Sequence, residues 1–231
     1  MDVLRVADLH VRYGAFEAVK GVSFALRERE ILGIVGESGS GKSTIAKVLM
    51  GLEKPSSGKV EGVNSISMIF QDAVGSLNPR MTVRSTLEEI VKLRRSEFSV
   101  SRLLEMTGLP ESVLAQYPRE LSGGQCQRLS IARALAVGPK VLIADEPVSA
   151  LDVSVQARIL NLLRDLRERI GLTILLIAHD LGVVKNVCDR VFVMEKGLFV
   201  EGGETEEVFS SPKSDYVREL LSAVPRLDVI Y

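Results

Sequence analysis

Residues 31–52, ILGIVGESGSGKSTIAKVLMGL, constrain this chain more than any other stretch. Ile31–Gly36 is a continuous apolar run rich in β-branched residues, which suits a strand buried on both faces. From Thr44 to Leu52 the pattern is that of an apolar helix ending near Gly51. Between them, Gly36, Gly41, Lys42 and Ser43 satisfy G-x-x-x-x-G-K-[ST] in the setting that gives this motif meaning, a strand before and a helix after. The chemistry explains the residue types. Glycines let successive N–H groups curl around phosphate oxygens, and the helix start adds its positive end. Lys42 reaches the β and γ phosphates and Ser43 ligates Mg²⁺; Ser38, Gly39, Ser40 and Thr44 complete the expected phosphate-binding set.

Further apolar runs, SISMIF (65–70), VLIAD (141–145) and LTILLIAH (172–179), read as buried strands separated by helical patterns. That alternation predicts an α/β fold with a parallel sheet covered by helices. In SVQARILNLLRDLRER, Val155, Ile159, Leu162, Leu163 and Leu166 share one helical face. Near the N-terminus, VLRVADLHVRY and GVSFALRE suggest an antiparallel β lobe. Between Asp72 and Ala136 the character changes to short helices, TLEEIVKLRRS, SVSRLLEMTG and PESVLAQYP, punctuated by Gly108, Pro110 and Pro118. This predicts an inserted helical lobe over 72–136, within a single domain whose core comprises 1–71 and 137–231. RVFVMEKGLFVEGG reads as a hairpin around Gly197 and DYVRELLSAV as a closing helix.

VLIADEP adds chemistry to the phosphate loop: a buried strand delivers Asp145 to the Mg²⁺ shell and Glu146 to the attacking water. Together they predict a nucleoside triphosphatase. Composition narrows its surroundings. With 29 basic against 30 acidic side chains, overall charge gives no reason to expect nucleic acid. Cys126 and Cys188 lack metal-ligand spacing, which leaves them as buried apolar residues of a reduced protein. No apolar run approaches the ~20 residues needed to span a bilayer, and MDVLRVADLH lacks a secretory pattern.

A second phosphate-binding stretch, LSGGQ at 121–125, poses the question of why one chain carries two. Here the sequence resembles the nucleotide-binding subunits of ATP-binding cassette (ABC) transporters over almost its whole length. The resemblance implies that Tyr13 stacks on adenine and that Lys42 and Ser43 stand in Walker A. It places Gln71 of IFQD in the Q-loop, sensing Mg²⁺, and Ser122, Gly123, Gly124 and Gln125 in the signature. It puts Asp145 and Glu146 in Walker B, Asp152 of SALD in the D-loop, and His179 as the switch histidine. It further implies a head-to-tail dimer, with either a second copy or a sister ATPase, in which each signature completes the neighbour's ATP site. Glu146 is then the general base, with Lys42, Gln71 and His179 as its catalytic companions.

IFQDAVGSLNPRMTV, SALDVSVQARIL, HDLGVVKNVCDRVFVMEKG and YVRELLSAVP resemble the peptide and nickel uptake branch of the family. The expectation is an import motor at the cytoplasmic face of the membrane, docked on two permease subunits and linked indirectly to an extracytoplasmic substrate-binding protein. The alternative is a non-transport ABC ATPase of a soluble complex such as the carbon–phosphorus lyase system. The chain departs from the branch in several places. The segment from Gly58 to Gln71 and the helical lobe are short, and no cysteine-bearing tail follows LLSAVP. Cys126 replaces a polar residue, and RERE at 27–30 lacks the usual glycine before Glu30.

Overall fold

The computed structural model describes residues 1–223. Six strands form the central sheet. In chain order they are β3 (Ile31–Val35), β5 (Ile66–Ile69), β6 (Val141–Asp145), β7 (Thr173–Ala178), β8 (Arg190–Glu195) and β9 (Leu198–Glu204), in the spatial order β5-β6-β7-β3-β8-β9. All neighbours pair in parallel except β8 with β9, the hairpin around Gly197. A second sheet, β2-β1-β4, is antiparallel and consists of β1 (Asp2–Tyr13), β2 (Phe16–Arg27) and β4 (Ser57–Gly62).

The alternation of side chains along each central strand divides the core in two. Leu32, Ile34, Val141, Ile143, Leu175 and Ile177 face α1 (Lys42–Leu49) and the antiparallel sheet. Ile31, Val35, Leu142, Ala144, Ile174 and Leu176 face the other way, in one apolar cluster with the remaining helices. Those helices are α2 (Val83–Arg94), α3 (Val100–Thr107), α4 (Gly123–Leu135), α5 (Val153–Ile170), α6 (Leu181–Val187), α7 (Thr205–Ser210) and α8 (Asp215–Ala223). Burial on both faces explains why the central strands read as unbroken apolar runs. Among the described residues, no helix is long and apolar enough to cross a membrane.

The structure refines several sequence expectations. β2 begins at Phe16, ahead of the predicted GVSF, because the chain bulges where Asp8 (φ 49°) and Gly21 (φ 78°) interrupt the register. PESVLAQYP forms only a 3-10 turn, Glu111–Ala115, bounded by extended Pro110 and Gln116. β4 has no counterpart among the predicted strands. Position 29, where the resemblance leads one to expect glycine, is an arginine in the left-handed region (φ 58°), with its N–H donating to Thr173 Oγ1 at 2.9 Å. Glu30 is buried beside it and accepts from Arg190 Nη1 at 3.3 Å. Both cysteines are free and buried, and burial raises the pKa of each thiol.

Candidate active site

The loop between β3 and α1 is shaped by what its glycines exclude. A Cβ on Gly36 would lie 2.1 Å from the Met194 carbonyl oxygen, and one on Gly41 (φ 112°) 2.4 Å from that of Ala18. The loop is therefore wedged between β2 and the β8–β9 hairpin, where Gly197 N–H donates to Ser40 O at 2.9 Å. Lys42 is 4% exposed and folds back, its Nζ donating to Gly36 O and Glu37 O, both at 2.7 Å, and to Ser40 Oγ at 3.4 Å. Burial lowers its pKa, and the nearby Glu146, Asp145 and Glu37 carboxylates oppose that shift.

Opposite the loop stand the ends of β6 and β7. Ser43 Oγ donates to Asp145 Oδ1 at 3.2 Å; burial raises the Asp145 pKa, and the Ser43 hydrogen bond opposes that shift. A hydroxyl oxygen and a carboxylate oxygen side by side are the hard oxygen donors that Mg²⁺ takes, so this pair fits that ion. Glu146 turns the chain at φ 45°, a conformation that costs about 1–3 kcal/mol in a non-glycine residue. One of its carboxylate oxygens accepts from Gln71 Nε2 at 3.0 Å and lies 3.3 Å from His179 Nδ1.

These groups line one cleft of about 540 Å³, which brings together Tyr13, Ser38, Gly39, Gly41, Lys42, Ser43, Thr44, Gln71, Glu146 and His179. Gly36 and Ser40 border it through Lys42. The sequence reading missed Phe16, which pairs with Tyr13 across the β1–β2 turn and lines the same cleft. Tyr13 is 43% and Phe16 63% exposed, so both keep a ring surface free. The only signal for Phe16 was a second aromatic beside the Gly14 turn.

Ser122, Gly123, Gly124, Gln125 and Asp152 lie outside this cleft. Ser122 caps α4, its Oγ accepting from Gln125 N–H at 3.2 Å while Gln125 Oε1 accepts from Ser122 N–H at 2.9 Å. Asp152 caps α5 in the same manner, accepting from Val155 N–H at 3.0 Å and Ser154 Oγ at 2.8 Å, which lowers its pKa. The two helix starts abut closely, since a Cβ on Gly124 would lie 2.8 Å from Val155 Cγ1.

Comparison with known proteins assigns the arrangement. The family model described as ABC transporter matches residues 19–149, more than half of the chain. The chain belongs to the ABC transporter family. It is an ABC-type ATPase with the cassette fold. It is 41% identical to the oligopeptide transport ATP-binding protein OppF of Lactococcus lactis, a match covering 99% of this chain and 82% of that protein. AppF of Bacillus subtilis, also an oligopeptide transport ATP-binding protein, is 44% identical over 93% of this ABC ATPase and 72% of its own length. Among solved structures, the dimeric bacterial ABC transporter cassette MJ0796 is 28% identical, with a TM-score of 0.76 over 87% of this chain and 98% of that one.

Proposed function

We propose that this ABC ATPase powers peptide import, hydrolysing ATP in a dimer that closes around two nucleotides. The observation that carries the reading is the division of phosphate-binding groups. Lys42, Ser43, Gln71, Glu146 and His179 share one cleft, whereas the capped start of α4 lies outside it. Each chain thus presents half of two sites, and a twofold partner supplies what the first lacks.

In this mechanism Lys42 leaves the Gly36 and Glu37 carbonyls for the β and γ phosphates, while Tyr13 and Phe16 carry the base. Ser43 and Asp145 would hold Mg²⁺, with Gln71 beside them, and the ion would supply positive charge to the phosphates. Glu146 accepts a proton from water as the water oxygen bonds to the γ phosphorus and the β–γ bridging bond breaks, leaving ADP and phosphate. His179 holds the γ-phosphate and the water in line. The amides of Gly123 and Gly124 and the Ser122 hydroxyl of the second subunit hold the γ-phosphate from the opposite side, with Asp152 and Gln125 at the same seam. Loss of phosphate removes the ligand shared by both subunits, and the pair opens.

The peptide assignment draws on the relatives named oligopeptide transport ATP-binding proteins. The motor then sits at the cytoplasmic face of the membrane through two permease subunits, served by an extracytoplasmic binding protein. Purification of the native assembly in mild detergent tests this: two integral membrane proteins should accompany the ATPase, and peptide uptake by the reconstituted assembly should need ATP. Recovery with a soluble enzyme complex instead would overturn the transport assignment.

A further inference from the structure

The β1–β2 turn that carries Tyr13 and Phe16 is tied together by charge. Tyr13 pairs with Phe16 on the last rung before the turn, and Arg12 pairs with Glu17 on the rung next to it. One Glu17 carboxylate oxygen accepts from Arg12 Nε at 3.2 Å and from His10 Nδ1 at 2.9 Å, while His10 Nε2 lies 3.3 Å from Asp8 Oδ1. Side chains alternate along a strand, so His10 and Arg12 leave the other face to Leu9 and Val11, which are buried in the core with Val19. Gly21 makes room for this line of charges. A Cβ there, at φ 78°, would lie 3.0 Å from both Asp8 Oδ1 and His10 Nε2.

The turn needs such a tie. Its pairing with β2 shifts register between Val11 and Arg12, both ring-bearing residues are exposed, and nothing lies within 4 Å of a Cβ built on Gly14. On the β1 arm, Arg12 N–H also donates to Ser56 Oγ at 2.9 Å. On the β2 arm, between Phe16 and Ala18, Glu17 is the one polar side chain. Asp8, His10, Arg12 and Glu17 do not line the nucleotide cleft, whereas Tyr13, Phe16 and Ala18 do. We infer that Glu17 is a positioning residue for the nucleobase: by tying β2 to His10 and Arg12 of β1, its carboxylate sets the angle at which Tyr13 and Phe16 face the base. The inference rests on reading this cleft as the ATP site. It assigns the charged line an effect on the base alone, since the triphosphate is held by the loop before α1.

The test is Glu17→Ala, titrated calorimetrically with Mg-ATP and, separately, with inorganic triphosphate, beside melting temperatures without ligand. The Kd for ATP should rise about two- to fivefold, the scale of exposed ion pairs, while the Kd for triphosphate stays parental. Glu17→Gln keeps the size of the side chain and one acceptor oxygen but not the charge. It should weaken ATP by about twofold, and it decides by the same measure if Glu17→Ala does not fold. Parental ATP affinity would overturn the inference, whatever the melting temperature, because it marks a brace that serves stability alone. Equal weakening of ATP and triphosphate would also overturn it, since the effect would then reach the phosphate loop. A parent protein that binds neither ligand gives a different answer: it removes the ATP site itself.

Discussion

Gly36→Ala isolates how tightly the phosphate loop is held. Gly36 has no left-handed backbone demand, so its cost is steric alone: the new Cβ would lie 2.1 Å from the Met194 carbonyl oxygen, a backbone atom with no side-chain freedom. A carbon–oxygen contact needs about 3.3 Å, so loop and hairpin must separate by roughly 1 Å. Overpacking of this kind costs about 1–3 kcal/mol, or about 2–4 °C of melting temperature per kcal/mol in a chain of this size. The larger effect falls on binding, because a displacement of ~1 Å in a preorganised site costs on the order of 100-fold. Gly39→Ala is the contrasting variant. Nothing lies within 4 Å of its added Cβ, yet φ is 80°, so only a conformational cost of about 1–2 kcal/mol applies. Calorimetric ATP titration and thermal melts of both variants provide the check. Parental ATP affinity in Gly36→Ala, or a larger affinity loss in Gly39→Ala, would refute the reasoning.

Phe16→Ala should weaken ATP binding roughly five- to hundredfold, the range of aromatic stacking energies of about 1–3 kcal/mol, while inorganic triphosphate competes as before; equal losses for both ligands would remove Phe16 from the base site. Ser122→Ala removes the α4 cap, worth about 1 kcal/mol, and should abolish ATP-dependent dimers in light scattering while sparing nucleotide binding by the monomer. His10 Nδ1 donates to a Glu17 carboxylate oxygen at 2.9 Å; Glu17 and Asp8 together raise the His10 pKa as His10 and Arg12 lower that of Glu17. The raised histidine contributes stability below its ordinary 6.5 and loses it as pH rises through the shifted value. The lowered carboxylate contributes above its ordinary 4.5 and loses it as pH falls, so the pair contributes fully between these two values. Thermal melts from pH 5 to 8 should fall more steeply for the parent than for His10→Gln, and identical slopes would dismiss the pair.

Legibility in the sequence follows burial. β3, β6 and β7 are buried at every position, so their apolar runs were unmistakable, and the residues they deliver to the cleft came with them. β4 was invisible because all six residues of SGKVEG are exposed, and Gly58 and Gly62 adopt positive φ against the carbonyls of Asp8 and Val3. A strand held only by main-chain pairing to β1 leaves no hydrophobic pattern. Phe16 escaped for a related reason, since an exposed aromatic at a turn gains meaning only when the cleft beside it is known. The signature was legible as a phosphate-binding helix start, and its service to a neighbouring chain's site followed only from the family resemblance, because nothing in the local sequence encodes its distance from Lys42.

The central claim is that ATP is held between two such chains, and Glu146→Gln tests it most directly. The amide keeps the shape of the carboxylate but accepts no proton, so hydrolysis should stop with the nucleotide in place. Size-exclusion light scattering of the variant with its partner ATPase, or alone, at saturating Mg-ATP should show a dimer that vanishes with ADP. A species that stays monomeric with ATP under both conditions would contradict the account.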